Sequence, residues 1–311
     1  MKTRNPGSIA WLLLAVSATA SLVAVEPSGF NPVKIEDLTW DDAQQDALSR
    51  TARMALKMEN IEWNHAQSEH FVYHFVKRVT AEQVASEIET YYEAIKKDLR
   101  IDDDRWEIPA HIFIFENKAF WTTFISKTGV DPWSGGLTFG NDIYLPLLPG
   151  AKIFSKTTIP HELTHLILGR FLRGRPPVWL NEGVAEQQAY KHFVAHHKSK
   201  GLNLLMPTTI VSAAQYVPLT TLTAASDYPA DPQKVHAFYT ESLCLVQFLQ
   251  ETGSPADFLD FLQTLSGGAK FETALNRAYG VKYRTLEIFE QKFKEVAIAQ
   301  TRIIRETGAT Q

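Results

Sequence analysis

Cysteine is nearly absent: Cys244 is the only one in 311 residues, so no intrachain disulfide can form and no CxxC arrangement can hold a metal. A long basic run is missing too, and with a net charge of -4 a nucleic-acid partner is disfavoured. Beyond the N-terminus no apolar run is long enough to span a membrane, and there is no internal repeat or low-complexity tract. What remains is an ordinary globular composition, 45% hydrophobic and 21% charged, over a length that allows two small domains or one bilobed enzyme.

The N-terminus reads as a targeting segment. Lys2 and Arg4 precede an uncharged stretch from Ile9 to Val25 centred on Trp11-Leu12-Leu13-Leu14. Ala18-Thr19-Ala20 is an A-x-A-like cleavage site that leaves Ser21 first, with Ala24 a competing cut and an uncleaved anchor the alternative. The apolar run is shorter than the roughly 20 residues of a spanning helix, and no cysteine follows it to take a lipid. The expectation is a signal peptide over 1–20 and a periplasmic or secreted protein with no stable membrane span after cleavage.

Hydrophobic periodicity divides the rest. Residues 21–62 read as an extension with a helical pattern around Ala43 to Met58. Over 63–200 the pattern is strand (His70 to Val76), helix (Thr80, as N-cap, to Leu99), strand (His111 to Phe115) and helix (Lys118 to Lys127). A hairpin of two short strands follows, Gly135 to Gly140 and Asp142 to Leu145, turning at Gly140-Asn141. Two longer helices come next. The first carries Pro160, which fits only a first helical turn, so its start is set at about Thr157 or Thr158; the second runs from about Leu180 to Lys198. Residues 201–311 are mainly helical. A stretch from Gly201 to Pro232, with few regular signals and a short helix near Leu219 to Ala224, could border a cleft. Helices follow at Val235 to Thr252, Ala256 to Leu265, Phe271 to Ala278 and Thr285 to Arg305, with Gly253, Gly267-Gly268 and Gly280 marking their ends. The fold class is therefore α+β: a small mixed sheet with helices, a central helix pair, and an all-helical C-terminal lobe.

The chemistry lies on that pair. His161-Glu162-Leu163-Thr164-His165 reads H-E-x-x-H, and residues four apart share a helix face. His161 and His165 can grip one ion, with Glu162 beside them to take a proton from a water the metal activates. A catalytic zinc needs a third protein ligand and an open position. Glu182 follows His165 by 17 residues, across a turn rich in Gly and Pro, on a helix able to run back past the first.

These residues, with Trp179-Leu180-Asn181-Glu182-Gly183, Ala185 and Glu186, resemble the gluzincin metallopeptidases of the thermolysin-like clan, most closely their bacterial peptidase-MA-like branch. The resemblance extends at pattern level from about Trp63 to Gly253. It implies Zn2+ held by His161, His165 and Glu182, Glu162 as general base, and Glu186 hydrogen-bonded to the far nitrogen of a ligand imidazole, His161. It also implies a Tyr or His donor for the developing oxyanion, for which Tyr239 is the first candidate and His236 the second. Aminopeptidases of the clan bind a free amine through a carboxylate on a Gly-x-Met-Glu-Asn strand; Ser134-Gly135-Gly136-Leu137-Thr138 has none, which points to an endopeptidase. The same strand, through Gly136, Leu137 and Thr138, could pair with a peptide substrate.

Other histidines carry less. His65, His70 and His74 read as surface or core-edge positions, and His192, His196 and His197 as a solvated helix face. Asp102-Asp103-Asp104 lacks the later ligands of a calcium loop. The favoured expectation is a zinc endopeptidase acting on peptides or proteins. The alternatives are a metal-binding or scaffold module without turnover, and a metallohydrolase of non-protein amides such as cell-wall material.

Overall fold

A computed structural model describes residues 30–40, 48–101, 108–130, 134–148, 152–172, 174–199, 211 and 214–308. The leader read over 1–20, the first part of the helix read from Ala43, and the Asp102-Asp103-Asp104 turn lie outside the described residues. Among those residues, no helix is long and apolar enough to cross a membrane.

The protein is an α+β fold around one six-stranded sheet. In chain order the elements are β1 (Glu36–Asp37), α1 (Arg50–Leu56), β2 (Asn64–Gln67), β3 (Phe71–Phe75), α2 (Arg78–Asp98), β4 (Ala110–Phe115), α3 (Lys118–Thr128), β5 (Leu137–Phe139) and β6 (Asp142–Pro146). The helical remainder is α4 (Lys152–Phe171), α5 (Val178–Ser199), α6 (Leu219–Leu222), α7 (Pro232–Thr252), α8 (Pro255–Ser266), α9 (Phe271–Tyr279) and α10 (Leu286–Gly308). The sheet order is β1-β2-β3-β4-β6-β5. β3, β4 and β6 are parallel, while β1, β2 and β5 pair antiparallel.

Helices cover both sheet faces, so β3 is buried at every position. Alternate residues feed two cores. Phe71, Tyr73, Ile112, Ile114, Ile143 and Leu145 face α2, α4 and the C-terminal helices in one continuous cluster. Phe113, Phe115, Tyr144 and Leu137 face α1 and α3 in a smaller one. The inner stripe of α4 is Ile159, Leu163, Leu166 and Ile167, each no more than 1% exposed, so its remaining face is free to carry polar groups.

Several expectations need correction. α4 begins at Lys152, so Pro160 sits inside the helix. A proline deletes one helical N–H and crowds the preceding turn, but here Ile159 and Leu163 on either side of it are packed into the core. That anchorage outweighs a single missing bond. Thr80 is not an N-cap: α2 starts two residues earlier after Lys77, and the Thr80 hydroxyl donates to Glu116. The strand read from Gly135 starts at Leu137. β1 and β2 were not foreseen, being short and polar. His192 is no solvated residue; its ring lies 5.1 Å from that of Tyr91.

His74 is the largest departure. It is fully buried and joins two other imidazoles in a row across β2, β3 and β4. His65 Nδ1 lies 2.8 Å from His74 Nδ1, and His74 Nε2 lies 3.0 Å from His111 Nδ1. Trp40 covers the row, stacked on His65 at 5.1 Å and edge-on to His74 at 4.9 Å. Burial lowers His65 and His111 to about 4, and burial, with the two neighbouring rings, drives His74 down as well.

The unfolded chain protonates these rings near 6.5 and the folded chain does not. Between pH 6.5 and 4 the unfolded state therefore binds more protons, and stability falls as pH drops through that window. Thermal midpoints measured from pH 7 to 4.5 should decline more steeply for the native sequence than for His74→Gln. Equal slopes would contradict a row that is kept neutral by folding.

Candidate metal centre

α4 and α5 form the most extensive helix pairing among the described residues. The turn between them is fixed by Gly174, whose φ of 98° is left-handed and whose place leaves no room for a side chain against the Ser266 carbonyl. α5 then opens on Pro177, whose carbonyl accepts from the backbone N–H groups of Leu180 and Asn181. Trp179, fully buried, meets Phe271 edge-on at 5.8 Å and anchors that end of the helix. Gly183 lies against α7: a Cβ there would come 2.5 Å from the Ser242 carbonyl oxygen. α7 thus presses α5 toward α4 at the residue next to Glu182.

The result is a convergence of three side chains. His161 Nε2 and His165 Nε2 are 3.1 Å apart, and Glu182 Oε2 lies 3.4 Å from the first and 3.6 Å from the second. Zinc bonds of about 2.0–2.2 Å at tetrahedral angles put donor atoms roughly 3.3–3.6 Å from one another. Among the described residues this trio is the one group of His, Cys, Asp and Glu whose ligand atoms all fall within 4.8 Å. Glu182 is 2% exposed and its Oε2 has no hydrogen-bond partner. A buried carboxylate oxygen without a donor, set between two imidazole nitrogens, fits a cation. Two imidazoles and one carboxylate suit zinc and leave one position open.

The carboxylates govern the imidazoles. Burial alone would lower His161, but Glu182, Glu186 and Glu162 outweigh it and hold the ring at about 9. His165 is raised for the same reason, chiefly by Glu182 against its own burial. Burial would raise Glu182, yet the two rings hold it well below the usual carboxylate range. Glu186 approaches the far side of His161, Oε1 to Nδ1, at 3.4 Å, and its burial near Glu182 raises it.

Glu162 is 7% exposed and held by Thr138 on β5, whose hydroxyl lies 2.8 Å from Glu162 Oε2 and 2.9 Å from the Glu162 carbonyl oxygen. Gly136 closes the other side: a Cβ there would meet Glu162 Oε1 at 2.8 Å. Leu137, between them, points to the opposite sheet face and packs in the smaller core. β5 is the edge strand of the sheet.

Sequence reasoning missed Tyr228. It lies in the stretch from Gly201 to Pro232 read as bordering a cleft, and its hydroxyl donates to Glu182 Oε1 at 2.6 Å. The segment reaching it is tied down by Tyr216 donating to Glu290 and by the Val217 N–H donating to Glu241. No local pattern marks Tyr228, because its partner is 46 residues away. Tyr239 stacks on it at 6.0 Å rather than standing alone over the site. Burial first and Glu182 second push both phenols up, so both remain donors. His236 is exposed on α7, and its charge reaches Glu186.

The family model of the Peptidase MA superfamily matches residues 90–296, about two thirds of the chain and the whole of α4 and α5. No curated protein matches.

Cation uptake must displace the proton held on His161, so binding should release protons at pH 7.5 and weaken as pH falls below about 9. Calorimetry in buffers of different ionisation enthalpy measures that release. In chelator competition, Glu186→Gln should lose about 10–100-fold in affinity. Full affinity in Glu182→Ala would contradict the trio.

Proposed function

The chain belongs to the Peptidase MA superfamily, and on that premise we propose that it is a zinc-dependent endopeptidase working outside the cytoplasm. The observation that carries the reading is the convergence of two half-buried imidazoles, His161 and His165, on the buried carboxylate of Glu182 at spacings that suit one cation, with Glu162 next to His161 in the chain. His161, His165 and Glu182 would hold the ion, and Glu186 would orient the His161 ring. Bound there, zinc would supply Lewis acidity for a water and for the scissile carbonyl.

The remaining work falls to the chain's own groups. Glu162 accepts a proton from the water as its oxygen attacks the carbonyl carbon. Thr138 donates to Glu162 Oε2, which leaves Oε1 to take the proton. Gly136 keeps the strand close enough for that contact. As the C–N bond breaks, Glu162 passes the same proton to the departing amine. Tyr239, held protonated and stacked on Tyr228, is the candidate donor for the charge that develops on the carbonyl oxygen, while Tyr228 gives its proton to Glu182.

An extended peptide fits as an added strand along the free edge of β5, through backbone hydrogen bonds near Gly136, Leu137 and Thr138. No carboxylate on that strand awaits a free amine, which favours internal cleavage. The leader sequence supports an extracytoplasmic setting.

A peptide library digested with the zinc-loaded protein and read by mass spectrometry should show internal cuts. Glu162→Gln should lower kcat by about 10²–10⁴-fold with metal content unchanged. Thr138→Val should cost about tenfold in kcat, the worth of one orienting hydrogen bond to a charged group. Zinc bound with no peptide cleaved would favour a silent scaffold or a hydrolase of other amides.

A further inference from the structure

α5 has a second occupied face. Taking 100° per residue from Glu182, Glu186 lies about 40° round the helix, whereas Gln187, Lys191 and Gln188 lie at roughly 140°, 180° and 240°. The metal-facing carboxylates thus back onto a separate group of polar side chains. That group lines a cleft of about 380 Å³ enclosed by the end of α2, α5, α7 and the start of α8. The volume is within the usual range for small-molecule sites.

The walls of the cleft are chemically divided. Pro255, Phe258, Leu259 and Leu262 of α8 make one side apolar. The other carries Gln187, Gln188 and Gln250 with the ion pair of Lys191 and Asp98. Gln188 is 3% exposed, and its Oε1 has no hydrogen-bond partner. Gln187 donates to Gln250 through Nε2, and its own Oε1 is likewise buried without a donor. Two buried amide oxygens left without donors are costly unless something else supplies an N–H or O–H. Beside them stand one carboxylate and one ammonium, 23% and 52% exposed, that can each serve a second partner.

The geometry points to a binding site for a free apolar α-amino acid. The ligand's ammonium group meets the Gln187 and Gln188 oxygens and Asp98. Its carboxylate meets Lys191, and its side chain lies on Phe258, Leu259 and Leu262. The site needs no metal, because the α5 residues it uses lie about 100° or more round the helix from Glu182 and Glu186, and the rest come from α2 and α8.

Isothermal titration of the full protein with L-leucine tests this. The expected result is one saturable site, with the same Kd in zinc-loaded and metal-stripped protein. Gln188→Leu and, separately, Leu259→Lys should each weaken binding by tenfold or more, with peptide cleavage unchanged and, for Gln188→Leu, a ligand-free thermal midpoint no lower than that of the native protein. N-acetyl-leucinamide, which carries neither charge, should not compete. No leucine binding to the native protein would overturn the proposal. So would binding that survives both substitutions, or that disappears when the metal is removed, which would put the amino acid in the metal cleft. Neither result bears on whether peptides are cut, and loss of cleavage in Glu162→Gln bears only on the metallopeptidase reading.

Discussion

The structure depends on holding one carboxylate between two imidazoles in a place water hardly reaches. Glu182 is 2% exposed, and isolating such a charge is expensive unless opposite charge faces it. The protein meets that demand with packing on every side. α4 is fixed to the sheet by its apolar stripe, α5 is pinned at its start by Trp179, and α7 is admitted close to α5 by Gly183. Glu182, with Glu186 and Glu162, in turn holds the His161 ring up at about 9 against the ring's own burial.

The sheet serves the same centre from its edge. Among the described residues β5 pairs only with β6, and its alternation turns Leu137 into the outer core and Thr138 toward α4. Glu162 is therefore set by a strand rather than by its own helix alone. A rigid element behind each polar group of the site is what preorganisation requires. The loop that brings Tyr228 to Glu182 is the exception, yet its contacts to Glu241 and Glu290 restrain it too.

Much of this was legible in the sequence because it is local. The i, i+4 spacing of His161 and His165 needs only a helix, and the Gly-Pro break before Trp179 needs only turn chemistry. The parallel strands of the sheet stood out as short β-branched and aromatic runs. The helix boundaries of the C-terminal part were close, since Gly253, Gly267 and Gly280 punctuate them. What escaped has long-range causes. Tyr228 gains its role from a partner on another helix, and His74 is buried because Trp40 and the β2 and β4 histidines close over it. Pro160 misled because local propensity was outweighed by tertiary packing of α4.

The central claim is that His161, His165 and Glu182 share one zinc ion. X-ray absorption at the zinc edge of the purified protein tests it most directly. The account predicts two imidazole nitrogens and one carboxylate oxygen at about 2.0–2.2 Å with one further light atom, and loss of one imidazole from the spectrum in His165→Ala. Sulfur in the coordination sphere, or a spectrum with no imidazole scattering, would contradict it.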